Sequence, residues 1–463
     1  MAPRRMRWFT TRQEDDMKRT TFLLLVISSV LLTSLGFART RPRQGGTLRV
    51  EMRAEASQWM NSAVRMLVFD SLTQMDDSGH VGPALAVRWD SQSDDRRWQF
   101  WLRPDVRFHD GTPLSAATVV QSLTAQACVG CPWRSVHVSG DSVVFESETP
   151  VPQLPALLAN SRYAVGRRDE SGNLVGTGPF RFAAMVNGAA TLSAVEDSSR
   201  GRPYVNAIEV RGQRSLRDQW MDVSVGRADV VEVPAELLRR AQQEHMRLLI
   251  SRDVDLIALV IDDSDSAVRD ARVREALALS IDRGALFNVV FQKQGEVTAS
   301  LLPNWLSGYS FAFLSTPNLS KAKELRSQLD KPADLTLSVE GGDPVLQLIA
   351  DRVALNTKDA GLTVRALSTP GRSTLRLLRL HVEETMPGAA YVTLTGQLAQ
   401  GERSPAEDVV AVFHQEQELL AKRTVVPLLY TPRSVAYAPR VHDLALSPDG
   451  GLRMADFWLE DAK

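Results

Sequence analysis

The order of hydrophobic and polar residues along the chain predicts a mixed α/β fold. In the stretch RRWQFWLRPDVRF, Trp98, Phe100 and Leu102 occupy every second position, which is the period of a strand with one apolar face. GGTLRVEM, residues 45 to 52, predicts an earlier strand that a Gly-Gly turn opens. The segments VVFESE, LTLSVE and VVPLLYT have the same strand character. Helical segments separate these strands, so the α/β class follows.

Helix-start residues and apolar residues spaced by three or four positions predict the helices. The predicted N-cap residues are Ser115, Asp270, Ser320, Asp343 and Ser404. A proline at the first helical position follows Asp343, and a glutamate three residues after Ser404 completes a capping box. A further helix-like stretch covers residues 63 to 72. The chain shows no internal repeat and no low-complexity segment.

The N-terminus has the pattern of a secretory signal peptide. From Met17, MKRTTFLLLVISSVLLTSLGFA begins with basic residues, continues with an apolar run from Phe22 to Leu35 and ends with small residues. This pattern predicts a signal over residues 1 to 38, with cleavage after Ala38 and with Met1 or Met17 as the start. An uncleaved membrane anchor is the alternative. No cysteine follows the cleavage point directly, so no lipid anchor is expected.

Composition and charge exclude some classes of protein. The chain has 463 residues, 44% of them hydrophobic, which allows two or three domains with their own cores. The 54 Lys and Arg residues balance 55 Asp and Glu residues. Because there is no basic excess, a nucleic-acid partner is not expected.

The octet FHDGTPLS, residues 108 to 115, contains a histidine in a polar turn. Asp110-Gly111 supplies the turn and Ser115 begins a helix, so His109 is interpreted as a turn residue, since no nucleophile or second histidine has a useful spacing. The glycine-rich stretch GTGPFRF, residues 176 to 182, leads into a strand. A phosphate-binding loop would lead into a helix, so phosphate binding is not favoured.

The cysteines are Cys128 and Cys131, in the sequence CVGC. In an exported protein they predict an intramolecular disulfide at the end of the Ser115 helix. A redox-active pair is one alternative. A zinc site is another, but two thiolates and His137 do not complete a tetrahedral ligand set. No catalytic residue, cofactor or metal site is expected from the sequence.

Several segments occur in an order that carries a family resemblance. They are GGTLRV, GPALAVRWD, WQFWLRPDVRFHDGTPLSAATVVQSL, GTGPFRF, GRPYVNAIEV, VGRADVV, DARVREALALSIDRGALF, KAKELRSQL and VVPLLY. Together they resemble the extracellular solute-binding proteins of family 5, which serve ABC importers of peptides, nickel and some oligosaccharides. The strand-turn-helix around His109 and the segment from Arg272 to Arg283 are the most diagnostic.

This resemblance implies a two-lobed periplasmic-binding-protein fold, type II-like, with an inserted domain and a hinge between the lobes. Domain I would comprise residues 44 to 73, 168 to 257 and 428 to 463. The inserted domain II would comprise residues 74 to 167, and domain III, the second lobe, residues 258 to 427.

The implied function is capture of a small solute, peptide-like or another small organic molecule, between the lobes. A monomeric, periplasmic or otherwise extracytoplasmic protein would then deliver the solute to an ABC permease and ATPase complex, without catalysis. One alternative is a degenerate binding protein that acts as a sensor or interaction module without transport. Another is an extracytoplasmic thiol-disulfide enzyme that uses the CVGC pair.

The chain departs from the family where relatives build their pocket. Between Gly361 and Pro405 it lacks the usual aromatic and Asp-Pro rich stretch of the second lobe, which includes an acidic residue for a peptide's amino end. RAEASQWMNSA replaces the usual Leu-Asp-Pro after the first strand, and LIALVIDDSDS lacks an asparagine common in relatives. The resemblance therefore predicts the scaffold but not peptide specificity.

Candidate ligand contacts follow from the places where relatives contact their solutes. Trp59 and Asn61 lie just after the first strand, and Trp305 and Tyr391 lie in segments of the second lobe that could face the cleft. A group of arginines could recognise an acidic solute, although a solvated surface is the more ordinary role. The arginines are Arg352, Arg365, Arg372, Arg376 and Arg379.

Overall fold

The computed structural model describes residues 42–54, 65–76, 80–92, 94–125, 131–169, 172, 174–329, 334–340, 343–367, 371–400, 408–454 and 456–460. Residues Gln44–Lys463 form one compact unit that holds every element described below. Within the described ranges, no helix combines the length and the apolar character that crossing a membrane requires.

The strands are numbered in chain order. They are β1 (Thr47–Glu51), β2 (Thr73–Met75), β3 (Val81–Pro83), β4 (Ala86–Ser91), β5 (Arg97–Leu102), β6 (Ser135–Ser139), β7 (Ser142–Glu146), β8 (Arg167–Arg168), β9 (Leu174–Val175), β10 (Phe180–Val186), β11 (Ala189–Ala194), β12 (Ala207–Arg211), β13 (Val230–Glu232), β14 (Leu248–Ile261), β15 (Glu296–Val297), β16 (Asp334–Val339), β17 (Thr363–Ala366), β18 (Leu375–His381), β19 (Val425–Tyr437), β20 (Val441–His442), β21 (Ala445–Leu446), β22 (Leu452–Arg453) and β23 (Trp458–Leu459).

The helices are numbered in the same way. They are α1 (Arg65–Val68), α2 (Ala116–Ala125), α3 (Leu154–Leu157), α4 (Leu216–Ser224), α5 (Ala235–Gln243), α6 (Ala271–Ser280), α7 (Arg283–Ala285), α8 (Asn304–Ser307), α9 (Leu319–Ser327), α10 (Pro344–Asp359), α11 (Pro387–Gln397) and α12 (Val409–Ala421). A π-helical turn, Leu286–Val290, continues α7, and short 3₁₀ turns cover Ser161–Tyr163 and Ser310–Ala312.

One large mixed sheet organises the fold. Its strand order is β10-β11-β12-β1-β13-β19-β14-β18-β16-β17, and β15 pairs with β19 outside this path. β1 lies parallel to β12 and β13, and β16 lies parallel to β17 and β18. The two longest strands, β14 and β19, pair antiparallel between these parallel groups, so they join the two ends of the sheet.

The hydrophobic core is divided in the same way as the sheet. One cluster packs around β1 and β12 and includes Leu48 and Ile208, both fully buried. Another packs around β16 and β18 and includes Leu337 and Leu375. This division agrees with a two-lobed fold; the domain boundaries expected from the resemblance stay a prediction.

A separate four-stranded sheet, in the order β4-β5-β7-β6, lies inside the range expected for the inserted domain. Trp98 and Phe100 of β5 face its core, as the alternating pattern predicts. Phe100 contacts Phe145 of β7 edge to face, with 5.4 Å between the ring centroids. Val119 and Leu123 of α2 belong to the same buried cluster, so the helix and the aromatic residues together form the core of this small sheet.

The structure confirms most of the predicted N-cap residues. The Ser115 hydroxyl accepts a hydrogen bond from the backbone N–H of Thr118 at 3.2 Å. Asp270 and Asp343 cap α6 and α10 through their carboxylates. These caps satisfy backbone donors that the first helical turn leaves free.

Three predicted helix boundaries were wrong. Asn318, not Ser320, caps α9, because its side-chain oxygen accepts from the backbone N–H of Lys321. Asp408 caps α12, whereas Ser404 and its capping box lie outside the described residues. The helix predicted over residues 63 to 72 ends at Val68, because Asp70 forms a β-bridge that requires extended backbone.

The glycine-rich loop leads into β10, as predicted, and its glycines allow close backbone packing. A Cβ on Gly176 would lie 1.8 Å from the Val68 carbonyl oxygen, and one on Gly178 would lie 2.4 Å from that of Leu67. His109 contacts the same loop, with Nε2 lying 2.9 Å from the Gly178 carbonyl oxygen. Burial lowers the pKa of His109. These contacts give His109 a structural role in the turn.

Candidate functional site

A cavity of about 680 Å³ lies at the carboxyl ends of β1 and β13. Parallel neighbours end at the same sheet edge, which is where open α/β folds place their ligands. The remaining walls come from the middle of β14 and of β19, from the end of β18, and from residues 66 to 75, 156 to 161 and 446 to 454. Strands on both sides of the β19 and β14 pair therefore contribute to one partly open cavity.

The β1 and β13 side of the cavity is mainly apolar. Val50, Met52, Val230 and Val233 line it, and the chain then enters α5 at Ala235. Among the polar residues here, Glu232 accepts from the backbone N–H of Arg53 at 2.8 Å and from its Nε at 3.3 Å. The buried Glu51 carboxylate lies 3.7 Å from Arg211 and 3.5 Å from Arg214, and neither of its oxygens has a hydrogen-bond partner among the described residues. This wall offers mostly nonpolar contact to a ligand.

A buried carboxylate organises the wall formed by β14, β18 and β19. The Asp255 carboxylate lies 2.8 Å from Nδ1 of His381 and accepts from Nε of Arg433 at 3.0 and 3.1 Å. Burial opposes ionisation of Asp255, but the charges and hydrogen bonds of Arg433 and His381 outweigh it and lower its pKa to about 2. The carboxylate is thus ionised and fixes both neighbours at the cavity.

Arg379 lies two residues before His381 on β18 and lines the same cavity. Its Nη2 donates to Asp343 at 3.1 Å. Its buried Nε has no hydrogen-bond partner in the described ranges. A buried donor without a partner is unusual in a folded protein.

An acidic wall follows the end of β18. Glu384 is 6% exposed, and burial, together with the nearby charges of Glu383 and Asp449, raises its pKa to about 7, whereas Arg162 lowers it. The Asn160 side-chain amide donates to Glu384 Oε2 at 3.5 Å. The cavity therefore has basic groups on one wall and carboxylates on another.

The structure places the predicted ligand contacts in different environments. Tyr391 is fully buried in the core, where its hydroxyl donates to the Gln415 carbonyl oxygen at 3.0 Å. Trp305 is half-buried, and its Nε1 donates to the Asp253 carbonyl oxygen at 2.8 Å. Neither residue lines the described cavity. Trp59 and Asn61 lie outside the described residues.

Arg379 lines the cavity, whereas Arg352, Arg365, Arg372 and Arg376 do not belong to its described wall. Cys131 is part of a disulfide. Its predicted partner, Cys128, lies outside the described residues, so the pairing stays a prediction. Among the described residues, no group of three or more His, Cys, Asp or Glu side chains could hold a metal ion.

Sequence reasoning missed Asp255, His381, Arg433 and Glu384. The only indication of this site in the sequence is that Asp255 and His381 are polar residues within largely apolar strands. They come from three distant segments, so no spacing in the sequence shows that they meet.

The fold and the cavity define the class of two-lobed periplasmic binding proteins. NikA from Staphylococcus aureus, in complex with Ni(L-His)2, matches with a TM-score of 0.76 and 18% identity over 91% of this chain and 100% of that one. AppA from Bacillus subtilis, in complex with a nonapeptide, matches with a TM-score of 0.72 and 18% identity over 91% of this chain and 100% of that one. At this level of identity the likeness establishes the fold.

The family itself is shown by sequence. The family described as "Bacterial extracellular solute-binding proteins, family 5 Middle" matches residues 80–383, and the chain belongs to it. The probable D,D-dipeptide-binding periplasmic protein DdpA of Escherichia coli is 22% identical over 64% of this chain and 64% of its own length. The oligopeptide-binding protein AppA of Bacillus subtilis is 22% identical over 70% of this chain and 69% of its own length.

Coverage of the curated relatives is partial. The uncharacterized protein YhjP of Bacillus subtilis is 30% identical over 31% of this chain, which spans 26% of that protein. The chain thus spans between about a quarter and just over two thirds of these three relatives.

Proposed function

We propose that this protein is the extracytoplasmic solute-binding component of an ABC importer. The observation that carries the proposal is the cavity of about 680 Å³, whose walls come from strands on both sides of the β19 and β14 pair. Its volume lies in the range of about 300–1,000 Å³ that small-molecule sites occupy. A solute held between two lobes stabilises their closed arrangement, and that arrangement is what a permease recognises.

The solute is a small organic molecule that is peptide-like or of similar size. Relatives of the chain carry names that specify dipeptides and oligopeptides, which supports this range. The apolar wall at Val50 and Val230 would contact its nonpolar part. The charged walls around Arg433 and Glu384 would contact its polar ends.

Trp59 and Asn61 remain proposed ligand contacts. The residues on either side of their segment, Ala54 and Met66, both line the cavity. Trp305 and Tyr391 remain predictions without support from the described wall, and they would support the fold around the site. The protein binds its solute without chemical conversion.

The partners and the location follow from the same proposal. The protein would be exported by its signal peptide, with cleavage after Ala38, and would act as a monomer outside the cytoplasm. It would deliver its solute to an ABC permease and ATPase complex and would bind no nucleic acid.

Native mass spectrometry tests this proposal. Cells expressing the full chain are fractionated, and the extracytoplasmic protein is purified without a denaturing step. We expect a protein mass that begins after Ala38 and an additional bound mass of a small solute, which unfolding releases. Thermal stabilisation by a panel of peptides, sugars and organic acids then identifies the ligand class.

Two results would count against the proposal. A mass without a bound solute, together with no thermal shift across the panel, would favour a sensor or interaction module that has lost solute binding. A full-length protein in the cytoplasmic fraction would exclude export. The first result concerns solute binding, and the second concerns export.

A further inference from the structure

We propose that the contact between Asn160 and residues 383–384 is a proton-dependent latch of the cavity. The latch holds while the Glu384 carboxyl group is neutral and releases when that group is ionised, so the protein captures its solute more tightly in an acidic environment. This inference rests on the proposed function, because it adds a regulation to the cavity that captures the solute.

The latch joins two parts of the fold that are organised by separate sheets. Asn160 begins the 3₁₀ turn Ser161–Tyr163, and the Tyr163 ring packs on Trp133 at 5.1 Å, within the aromatic core of the four-stranded sheet. Residues 383–384 lie just after β18 of the large sheet. The two sides are 223 residues apart in the chain, and both line the cavity. A movement that separates them would therefore widen the cavity.

The local structure fixes the direction of the Asn160 side chain. Its Oδ1 accepts a hydrogen bond from the backbone N–H of Arg162 at 2.8 Å and so caps the 3₁₀ turn. Its Nδ2 is the end that remains, and it donates to the Glu383 carbonyl oxygen and to Glu384 Oε2. A neutral carboxyl group still offers an acceptor oxygen to this amide, so the contact does not require Glu384 to be ionised.

The surroundings of Glu384 disfavour its ionised form. Arg162 acts on it from the 3₁₀ turn and favours ionisation, whereas the neighbouring Glu383 and Asp449, on the loop between β21 and β22, oppose it. Arg65 of α1 acts on Glu383 and donates to the Arg162 carbonyl oxygen. Glu384 is only 6% exposed, so little water reaches its carboxylate. A carboxylate that loses its hydration beside other carboxylates is stabilised by taking up a proton.

The direction of the pH effect follows from this environment. Burial, together with Glu383 and Asp449, raises the pKa of Glu384 to about 7 in the latched arrangement, although Arg162 lowers it. Separation of the two sides exposes Glu384 and returns its pKa towards the ordinary value of 4.5. The latched arrangement therefore keeps a proton that the separated one releases, and acidification from pH 8 favours the latch. Tyr163 also faces Glu384 but stays neutral, because burial raises the pKa of its hydroxyl above 10.0.

Distance measurements on the purified extracytoplasmic protein, freed of solute by dialysis, test the latch. Spin labels are attached at Val138→Cys in β6 and at Leu348→Cys in α10, two exposed positions outside the cavity wall. Cys131 is part of a disulfide and does not react with the label. Double electron–electron resonance then gives the population that has the distance of the latched structure and the population that has any other distance.

We expect the ratio of the latched to the other population to be at least about tenfold higher at pH 5.5 than at pH 8, because the two arrangements differ in the pKa of one carboxyl group. Native mass spectrometry at the same two pH values adds a second readout. A larger fraction of the protein should keep its co-purified solute at pH 5.5 than at pH 8.

Variants assign the effect to the latch, since histidines also titrate in this range. Glu384→Gln should remove the pH dependence, because its amide cannot ionise and still offers an oxygen to Asn160. Glu418→Gln is the matched control, because Glu418 is exposed on α12 and its charge does not act on Glu384. Asn160→Ala should lower the latched ratio about threefold or more at both pH values, since it removes the donor. Circular dichroism shows that each variant is folded.

The outcomes separate this inference from the proposed function. An equal latched ratio at both pH values, an unchanged pH dependence in Glu384→Gln, or equal retention of the co-purified solute at pH 5.5 and pH 8 would overturn the latch and leave solute binding intact. A pH-dependent distance in a protein that carries no solute and shows no thermal shift with any solute of the panel would instead overturn the proposed function.

Discussion

Asn160 donates its side-chain amide to two successive residues, the Glu383 carbonyl oxygen at 3.4 Å and Glu384 Oε2 at 3.5 Å. Asn160 lies in the range expected for the inserted domain, and Glu384 follows β18 of the expected second lobe. Both residues line the cavity. This contact therefore joins two cavity-lining segments that are far apart in the chain through a long pair of hydrogen bonds.

Glu384 is expected to make stability depend on pH. Its pKa in the folded protein is about 7, above the ordinary value of 4.5, so the folded state binds a proton more readily than the unfolded chain. The contribution of Glu384 to stability is then fully present below pH 4.5 and is lost as the pH rises through 7. The loss is on the order of 3 kcal/mol, since each pKa unit corresponds to about 1.4 kcal/mol.

Urea denaturation between pH 5 and 8 measures this effect. Glu384→Gln should remove much of the decline in unfolding free energy that the wild type shows across this range. Glu418→Gln is the matched control, because Glu418 is exposed and is not among the charges that shift the pKa of Glu384. A decline of equal size in wild type and Glu384→Gln would contradict the assignment.

Asp255→Asn is expected to destabilise the protein by about 1–3 kcal/mol, because it weakens the hydrogen bonds of a buried carboxylate to His381 and to the partly exposed Arg433. Since the pKa of Asp255 is lowered to about 2, its contribution is present above the ordinary value of 3.8 and is lost as the pH falls towards 2. Guanidinium denaturation at pH 7 measures the difference in unfolding free energy.

Asp263→Asn serves as the control for Asp255→Asn, because Asp263 is exposed in the loop after β14. Combining Asp255→Asn with Arg433→Gln should cost less than the sum of the single changes, since each one removes the same contact. Additive effects would show that the two side chains do not act together.

Glu416→Gln is expected to lower the unfolding free energy of the protein by about 2–4 kcal/mol. Glu416 is fully buried and accepts from Ser300 Oγ at 2.7 Å, from the Tyr309 hydroxyl at 2.9 Å and from the backbone N–H of Leu301. In this variant an amide nitrogen, which is a donor, replaces a carboxylate oxygen and faces other donors. Buried polar groups without a hydrogen-bond partner lower the stability of the folded state. Burial also raises the pKa of Glu416.

Thermal and chemical unfolding of Glu416→Gln are compared with Glu418→Gln, an exposed glutamate on the same helix, α12. The control should differ from wild type by less than about 0.5 kcal/mol. Equal stability of the two variants would mean that the three hydrogen bonds from Ser300, Leu301 and Tyr309 to Glu416 contribute little to stability.

Gly178→Ala is expected to cost at least about 3 kcal/mol. The added Cβ would lie 2.4 Å from the Leu67 carbonyl oxygen, so the backbone of β10 or of α1 would have to move. Gly396→Ala is the control, since nothing lies within 4 Å of its Cβ position in α11, and it should stabilise the protein by about 0.5–1 kcal/mol. A tolerated Gly178→Ala would contradict the close packing.

The sequence by itself determined the α/β class, most strands and the helices that a carboxylate or hydroxyl cap begins. β5, α2 and α10 follow from the residues within them, because alternation and capping are local properties. The ordered family segments also predicted the two-lobed fold. The sequence indicated the glycine-rich loop at Gly176 and Gly178 but not the reason why glycine is needed there. The α1 carbonyl oxygens that leave no room for a Cβ are about a hundred residues away in the chain.

Only the tertiary structure decided the site. Tyr391 and Trp305 have the residue types of a ligand wall, yet their hydroxyl and indole N–H are used by backbone carbonyls within the fold. Asp255, His381 and Arg433 meet because β14 pairs with β18 on one side and β19 on the other. Strand pairing brings together residues far apart in the chain, and no local pattern of hydrophobic and polar positions specifies which strands will pair.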